Sequence, residues 1–304
     1  MTALEPNPRL PLLSAVLISW NRKELLEQAI NSLLDQHYPQ LEIIVVDNGS
    51  TDGSVEWLRA QTQVRLIENT RNVGASAARN QGTRFAGGEY VIYMDSDAEL
   101  KTGGALARWV ERLEREQEIG GVAGIYYSDE ALTRLWCWSP CMDWEGNHDL
   151  PASLTPRENP TVLTTCLAMF RLGLVREVGG FDEYFFYLYE DGDLCERIRK
   201  RGYRLVVDDE VKILHRVAER GRMKLEQIEY HYYHEKLRMY YVIKNWGLKR
   251  FLWSWWHKIK NPKNYLSGYK YLPFWCYIDI YVVRVMGLLL MFPWIRRRRN
   301  KRWV

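Results

Sequence analysis

Cysteine is scarce in this chain, with five residues among 304. A small, odd number favours reduced thiols over a disulfide framework, and no signal peptide is apparent, so we expect a cytoplasmic protein. Cys137 and Cys141 lie four residues apart, but no second Cys/His pair with ligand-like spacing accompanies them, which argues against a structural zinc site. The first eleven residues contain three prolines and no long apolar run, which predicts a flexible lead-in.

Charge of one sign is not in excess either. The chain has 42 basic and 38 acidic residues, a net charge of +4, so its overall charge does not indicate a polyanionic partner. The hydrophobic fraction of 47% is enough for the core of one large domain with an appendage.

The C-terminal region lacks an apolar run long enough to cross a membrane. Its uninterrupted apolar part, Val285–Ile295, falls short of the roughly 20 residues that a crossing helix needs. Tryptophans alternate with lysines and arginines after residue 240, and a basic cluster closes the chain at 296–302. We therefore expect residues 221–304 to be helical and to bind an anionic membrane surface peripherally. Helices packed on the rest of the chain are the alternative, and nucleic-acid binding is not expected, because no known binding module accompanies the tail.

Apolar, β-prone runs alternate with helical patterns in the first hundred residues. Strands are predicted at 12–19, 42–46, 64–67 and up to Asp95, with helices between them, which indicates a mostly parallel α/β sheet. Asn21, able to cap the first helix, Asp47 and the Asp95–Asp97 segment each follow a strand. Ligands bind at the carboxyl ends of such strands, so these residues should converge on one crevice.

Two carboxylates, Asp95 and Asp97, end the fourth strand. If the strand continues through Ser96, both side chains face the same way and suit a hard divalent cation, which in turn suits a diphosphate. A polar loop after a strand is the alternative.

The second half of the chain is less regular. Tryptophans and prolines between 121 and 160 predict a loop-rich insertion, in which Trp136, Trp138 and Trp144 fall. A strand at 161–170, a helix at 190–201, and strands at 203–207 and 211–214 are predicted to follow.

Six motifs occur in order: SAVLISWNR at 14–22, IVVDNGSTD at 44–52, NVGASAARN at 72–80, DSD at 95–97, GGFDE at 179–183 and EDGDLC at 190–195. In this order they resemble the family 2 glycosyltransferases, which have the GT-A fold, and within them bacterial rhamnosyltransferase-like members. The resemblance covers about 12–215. It implies a GT-A domain at 12–220, with a nucleotide-sugar half at about 12–100 and an acceptor half at about 101–220, before the C-terminal helical extension.

The resemblance also implies which residues bind the nucleotide-sugar donor. Asp47 would accept a hydrogen bond from the base, unless it caps a turn, and Arg79 would lie near the diphosphate, unless it forms a salt bridge within its own helix. The sequence departs from the usual pattern at Gly74-Ala75-Ser76, which indicates altered packing near the donor. The implied donor-binding residues are Ser19, Asn21, Asp47, Asn72, Gly74, Arg79, Asp95 and Asp97.

By the same resemblance, Asp97, Asp95 and His215 would hold a divalent cation, Mn²⁺ or Mg²⁺. Asp191 would be the general base, with Glu190 as second choice. The alternative is that the acidic residues at 190–193 merely cap a helix.

Together these features indicate an inverting, metal-dependent glycosyltransferase. Its donor would be dTDP-rhamnose or a UDP-sugar, and its acceptor a saccharide or lipid-linked saccharide of a cell-envelope polymer. A sugar-1-phosphate nucleotidyltransferase would need a glycine-rich loop after the first strand, and residues 19–22 offer none. A catalytically weak, membrane-associated nucleotide-binding scaffold is the other alternative, which the intact carboxylates disfavour.

Overall fold

A computed structural model describes residues 10–137, 141–149, 160–216 and 227–260. The expectations for Trp138, for residues 1–9 and for the chain beyond 260, which includes the terminal basic cluster, lie outside the described residues.

Strands and helices alternate through the first hundred residues, as predicted. Branched apolar side chains fill β1 and β2, and nearly all of them are fully buried because helices cover the sheet. The elements of this half are β1 (Leu13–Ser19), α1 (Lys23–Leu34), β2 (Leu41–Asp47), α2 (Ser54–Arg59), β3 (Val64–Glu68), α3 (Ala75–Phe85), β4 (Tyr90–Asp95) and β5 (Ala98–Leu100).

The second half adds strands of both directions and three further helices before the C-terminal one. Its elements are α4 (Ala105–Arg115), β6 (Ile119–Tyr127), β7 (Leu135–Cys137), β8 (Cys141–Met142), β9 (His148–Asp149), β10 (Leu167–Arg171), α5 (Leu172–Glu177), α6 (Glu190–Arg199) and β11 (Arg204–His215). The loop-rich insertion therefore begins later than predicted, because β6 is a regular, buried strand to Tyr127. The strand predicted at 161–170 is shorter, and β11 joins the two predicted at 203–207 and 211–214 across a bulge.

One sheet with the order β3-β2-β1-β4-β10-β6-β11-β5 unites both halves. Its first four strands are parallel, whereas β10 runs antiparallel to β4 and to β6. The predicted α/β class, a mostly parallel sheet flanked by helices, is confirmed. The carboxyl ends of β1, β2 and β4 meet at one edge, as the crevice prediction requires.

Helix α3 approaches the sheet closely through a glycine. A Cβ atom on Gly82 would lie 2.3 Å from Val16 Cγ1, so no larger residue fits between this helix and β1 without a shift. This contact fixes the height of α3, which carries Arg79, above the sheet.

The C-terminal helix α7 (Gln227–Lys260) confirms helical structure for that part of the extension, with a break at Gly247. Before the break, Leu237, Tyr240 and Val242 are fully buried, because the helix packs on α6. After it, Trp253 and Trp256 are more than half exposed. In the part of the chain that the structure describes, every helix is too short or too polar to cross a bilayer.

Candidate active site

Arg79 lies at the centre of the crevice. Its guanidinium donates to Glu190 Oε1 at 3.0 Å and to Asp95 Oδ1 at 2.7 Å, and its side chain is 3% exposed. Burial opposes its charge, but the carboxylates of Asp95 and Glu190 outweigh this and raise the pKa of Arg79, so it is a permanent cation. The cation predicted near the diphosphate thus links the end of β4 to the start of α6 through hydrogen bonds.

Asp95 and Asp97 come together differently from the strand-based prediction. The strand ends at Asp95, and Ser96 and Asp97 form a turn into β5, so the two side chains are not successive members of one strand face. Asp97 instead approaches His215 at the end of β11, with 3.7 Å between Oδ1 and Nε2, and receives Arg22 Nη1 on Oδ2 at 3.0 Å. The two carboxylates still lie near each other, since burial, together with the Asp97 charge and against the nearby Arg79, raises the pKa of Asp95.

The candidate metal site combines these carboxylates with an imidazole. His215 is 6% exposed, and its Nδ1 has no hydrogen-bond partner among the described residues, an unusual state for a buried nitrogen. The ring of Trp136 stands edge-on to the imidazole at a centroid distance of 4.4 Å and fixes its orientation. One ligand atom each of Asp95, Cys166 and His215 lies within 4.8 Å of the others. Two carboxylates and an imidazole with a nitrogen unpartnered in the described part of the chain fit a divalent cation.

Glu190 and Asp191 begin α6 and differ in accessibility. Glu190 is 6% exposed, and burial together with the neighbouring Asp191 charge raises its pKa to about 8, although Arg79 opposes the shift. Asp191 is half-buried, and its Oδ2 accepts a 3.2 Å hydrogen bond from the amide of Thr165. Of the two, Asp191 is the carboxylate within reach of an incoming molecule.

The backbone before α6 is strained. Leu188 and Tyr189 both adopt left-handed conformations, with φ of 71° and 68°, which side chains larger than glycine rarely accept. The Tyr189 hydroxyl is held by the carbonyl of Gly146 at 3.1 Å and by His234 Nε2 at 3.0 Å. The insertion and α7 therefore maintain the turn that aims Glu190 and Asp191 into the crevice.

The loops after β1 and β2 are joined to each other. Asp47 is fully buried, and its carboxylate accepts hydrogen bonds from the amide and hydroxyl of Ser50, which is the turn-capping arrangement. Asn21 Oδ1 accepts from the amide of Thr51 at 2.7 Å. Asn21 does not cap α1 as predicted, since the amide of Lys23 bonds instead to Asp52 of the neighbouring loop. Ser19 ends β1 with a buried hydroxyl that has no partner among the described residues.

The loop before α3 packs against the loop before α6. A Cβ atom on Gly74 would lie 2.6 Å from the Phe186 ring, and the Ser76 hydroxyl donates to Phe185 O. The departure at 74–76 thus serves contact between these two loops. Asn72 accepts from the Gly74 amide at 2.9 Å and lines a cavity of about 560 Å³ together with Arg71 and Arg84.

Sequence reasoning missed three contributors to the site. Arg22 follows Asn21 directly, and its position beside a candidate donor loop was the available signal. Cys166 gave no signal in the sequence, because its neighbours Asp95 and His215 belong to the distant strands β4 and β11. Lys244 of α7 pairs with Asp182 at 2.9 Å and with Asp193 at 2.7 Å, all buried, so Asp193 belongs to a structural cluster behind α6.

Part of the chain is similar in sequence to known proteins. The putative teichuronic acid biosynthesis glycosyltransferase TuaG of Bacillus subtilis is 36% identical over 113 residues, which are 36% of this chain and 42% of TuaG. The matches to the first curated relatives span less than half of those proteins.

Solved structures share the fold. The mannosyltransferase PcManGT from Pyrobaculum calidifontis, in complex with GDP-Man and Mn²⁺, aligns with a TM-score of 0.55 at 20% identity over 97% of this chain and 75% of its own. TarS of S. aureus, in complex with UDP-GlcNAc, aligns with a TM-score of 0.57 at 18% identity over 95% and 87% of the two chains. The sheet with its flanking helices is the GT-A fold.

The family itself is established by sequence. Residues 14–179, more than half of the chain, match the family model described as Glycosyl transferase family 2. This assignment removes the nucleotidyltransferase alternative. The chain belongs to glycosyl transferase family 2.

Proposed function

We propose that this protein is an inverting, metal-dependent glycosyltransferase that moves a sugar from a nucleotide-sugar to a saccharide or lipid-linked saccharide of the cell envelope. The carrying observation is the Arg79 guanidinium, which bonds the Asp95 carboxylate on one side and Glu190 on the other. This single contact holds the candidate cation ligands next to the candidate general base, as a one-step displacement requires.

The donor would lie across the loops that follow β1, β2 and β4. We assign the nucleoside to Ser19, Asn21 and Asp47. The diphosphate would meet Asp95 and Asp97 through the cation. Asn72 and Gly74 belong to the loop that flanks the donor. PcManGT and TarS were solved with GDP-Man and UDP-GlcNAc, which supports a nucleotide-sugar here, either dTDP-rhamnose or a UDP-sugar.

Asp95, Asp97 and His215 would hold Mn²⁺ or Mg²⁺, which when bound offsets the charge that develops on the departing nucleoside diphosphate. Arg22, 3.0 Å from Asp97, adds a fixed positive charge at the same place. Asp191 removes the proton of the acceptor hydroxyl. At the same time the acceptor oxygen bonds the anomeric carbon of the sugar while the bond between that carbon and the diphosphate breaks. Arg79 holds Glu190 next to Asp191, so Glu190 helps to position Asp191. Glu190 is also the second choice for the general base.

The donor half is tested by incubating the protein with Mn²⁺ and a panel of nucleotide-sugars while monitoring release of nucleoside diphosphate. Asp97→Asn and chelation by EDTA should each abolish release, whereas Asp209→Asn, an exposed substitution, should leave it intact. Full activity in Asp97→Asn would contradict the metal role. Nucleotide binding without turnover across the panel would support the scaffold instead.

We also propose that the second part of α7 docks on anionic lipid, in a cytoplasmic protein bound to the inner face of the membrane. Trp253 and Trp256 are 57% and 53% exposed, Lys260 lies over the Trp256 ring, and Arg250 lies over the ring of Trp246, just before the break. Exposed indoles beside cations suit the headgroup layer. TuaG, named for teichuronic acid biosynthesis, supports an envelope polymer as the acceptor.

Vesicle co-sedimentation tests this surface. Trp253→Ala/Trp256→Ala should lose binding to vesicles rich in phosphatidylglycerol, and wild type should ignore pure phosphatidylcholine. Tyr230→Ala, which removes an exposed aromatic side chain from the other end of α7, should bind like wild type. Equal binding by all three proteins would contradict the proposal.

A further inference from the structure

Cys166 is fixed beside the candidate metal site by its backbone. Its carbonyl accepts the Asp95 amide at 2.8 Å, and its own amide donates to Thr164 Oγ1 at 3.4 Å. The residue is 3% exposed and directly precedes β10, the strand that runs antiparallel to β4. The backbone of Cys166 is therefore tied to the end of β4 at Asp95, and its thiol is buried there.

The sulfur belongs to a group with ligand-like spacing. A carboxylate oxygen of Asp95, the Cys166 sulfur and a ring nitrogen of His215 all lie within 4.8 Å of one another. His215 supplies an independent indication of a ligand, because its buried Nδ1 has no hydrogen-bond partner among the described residues. An oxygen, a nitrogen and a sulfur donor thus surround one buried point.

We propose that Cys166 is a direct ligand of the cation, so that the site is selective for sulfur-binding metals. The inference rests on the proposed function to the extent that the enzyme binds a divalent cation there. When the metal–sulfur bond forms, the thiol proton passes to solvent and the thiolate provides the electron pair.

A sulfur ligand changes which metals the site prefers. Thiolate is a soft donor that favours Cd²⁺, Zn²⁺ and Co²⁺, whereas Mg²⁺ is hard and gains little from it. A site made of carboxylate oxygens and one imidazole nitrogen, without the sulfur, would discriminate less between Cd²⁺ and Mg²⁺. Trace thiophilic metal should therefore displace Mg²⁺ from this enzyme.

Cobalt spectroscopy on the full chain tests the ligand directly. The protein is titrated with Co²⁺, alone and with UDP, and the near-ultraviolet thiolate-to-cobalt charge-transfer band is recorded. Wild type and Cys141→Ser, in which a half-buried cysteine outside the group is replaced, should both show the band. Cys166→Ser should lose it while retaining visible cobalt absorption. In parallel calorimetry, Cys166→Ser should lower Cd²⁺ affinity at least about tenfold and Mg²⁺ affinity much less.

The outcomes separate the two proposals. Cobalt bound without the charge-transfer band, or a band unchanged in Cys166→Ser, overturns the cysteine ligand and leaves a metal-dependent transferase intact. Failure of wild type to bind Co²⁺, Cd²⁺ or Mn²⁺ even with UDP overturns both.

Should Cys166→Ser fold poorly, X-ray absorption on unmodified protein loaded with one equivalent of Cd²⁺ decides the matter. A sulfur neighbour of the cadmium that is also present in Cys141→Ser supports the proposal. A shell of oxygen and nitrogen alone in unmodified protein overturns it.

Discussion

The two halves of the crevice position their side chains by different means. On the donor side, Asp47 and Asn21 lie at strand ends and bond to backbone or hydroxyl groups of adjacent loops. On the acceptor side, α6 is held from behind by buried ion pairs to Lys244 of α7, and from in front by Arg79. The donor side is therefore locally encoded, whereas the acceptor side depends on contacts between residues 50 or more positions apart.

The largest effect is expected at the acceptor-side carboxylate. Asp191→Asn should lower kcat by about 10²–10⁴-fold, because the acceptor proton loses its base, with donor binding unchanged. Steady-state kinetics and nucleotide calorimetry measure the two quantities. Asp209→Asn is the control, and transfer at the wild-type rate in Asp191→Asn would remove this residue from the mechanism.

Next, Lys244→Met should destabilise the fold by about 3 kcal/mol, because Asp182 stays buried without the Lys244 cation while Asp193 keeps the Arg197 cation. Urea unfolding measures the loss. Lys249→Met, exposed on the same helix, should change stability little. If the two variants unfolded alike, the acceptor side would not depend on α7 as argued.

On the donor side, Gly82→Ala should cost about 1–3 kcal/mol, because its Cβ would overlap Val16. Gly103→Ala is the matched control, since nothing lies within 4 Å of the added atom. Thermal unfolding compares the variants, and a neutral Gly82→Ala would show that α3 can move away from β1.

The smallest effect concerns the pH dependence of stability. Glu190 has a folded pKa of about 8 against an ordinary value of 4.5, so the folded state binds the extra proton between these values. Stability contributed by this proton is present below pH 4.5 and is lost as the pH rises toward 8. Relative to wild type, Glu190→Gln should therefore become more stable by about 1–2 kcal/mol from pH 5 to pH 8. Urea unfolding at both pH values checks this, with exposed Glu27→Gln as control; parallel curves would argue against the raised pKa.

Sequence patterns predicted the strands and helices of residues 12–95 well, because their information is periodic. Alternating strands and helices placed Asp47 and Asp95 at one sheet edge, and the structure has them there. The condition set for Asp97, a strand that continues through Ser96, is not met, because a two-residue turn has no periodic signal. The charged helix predicted to begin at Glu190 does begin there.

Partner choice is what the sequence did not reveal. Arg79 meets Glu190 across 111 positions, and Cys166 meets Asp95 and His215 through three different strands. Such pairings depend on the complete strand order of the sheet, since β10 must insert between β4 and β6 before these side chains meet. The roles of the donor-binding residues and the membrane surface stay predictions.

The Tyr189–His234 contact has a consequence for the order of events during synthesis. Four strands within residues 13–100 pair with one another, whereas the turn before α6 acquires this anchor only after His234 of α7 has emerged from the ribosome. A nascent chain that ends before α7 lacks the partner that secures the turn before Glu190 and Asp191. We therefore expect that turn to become ordered only once the first part of α7 has been made.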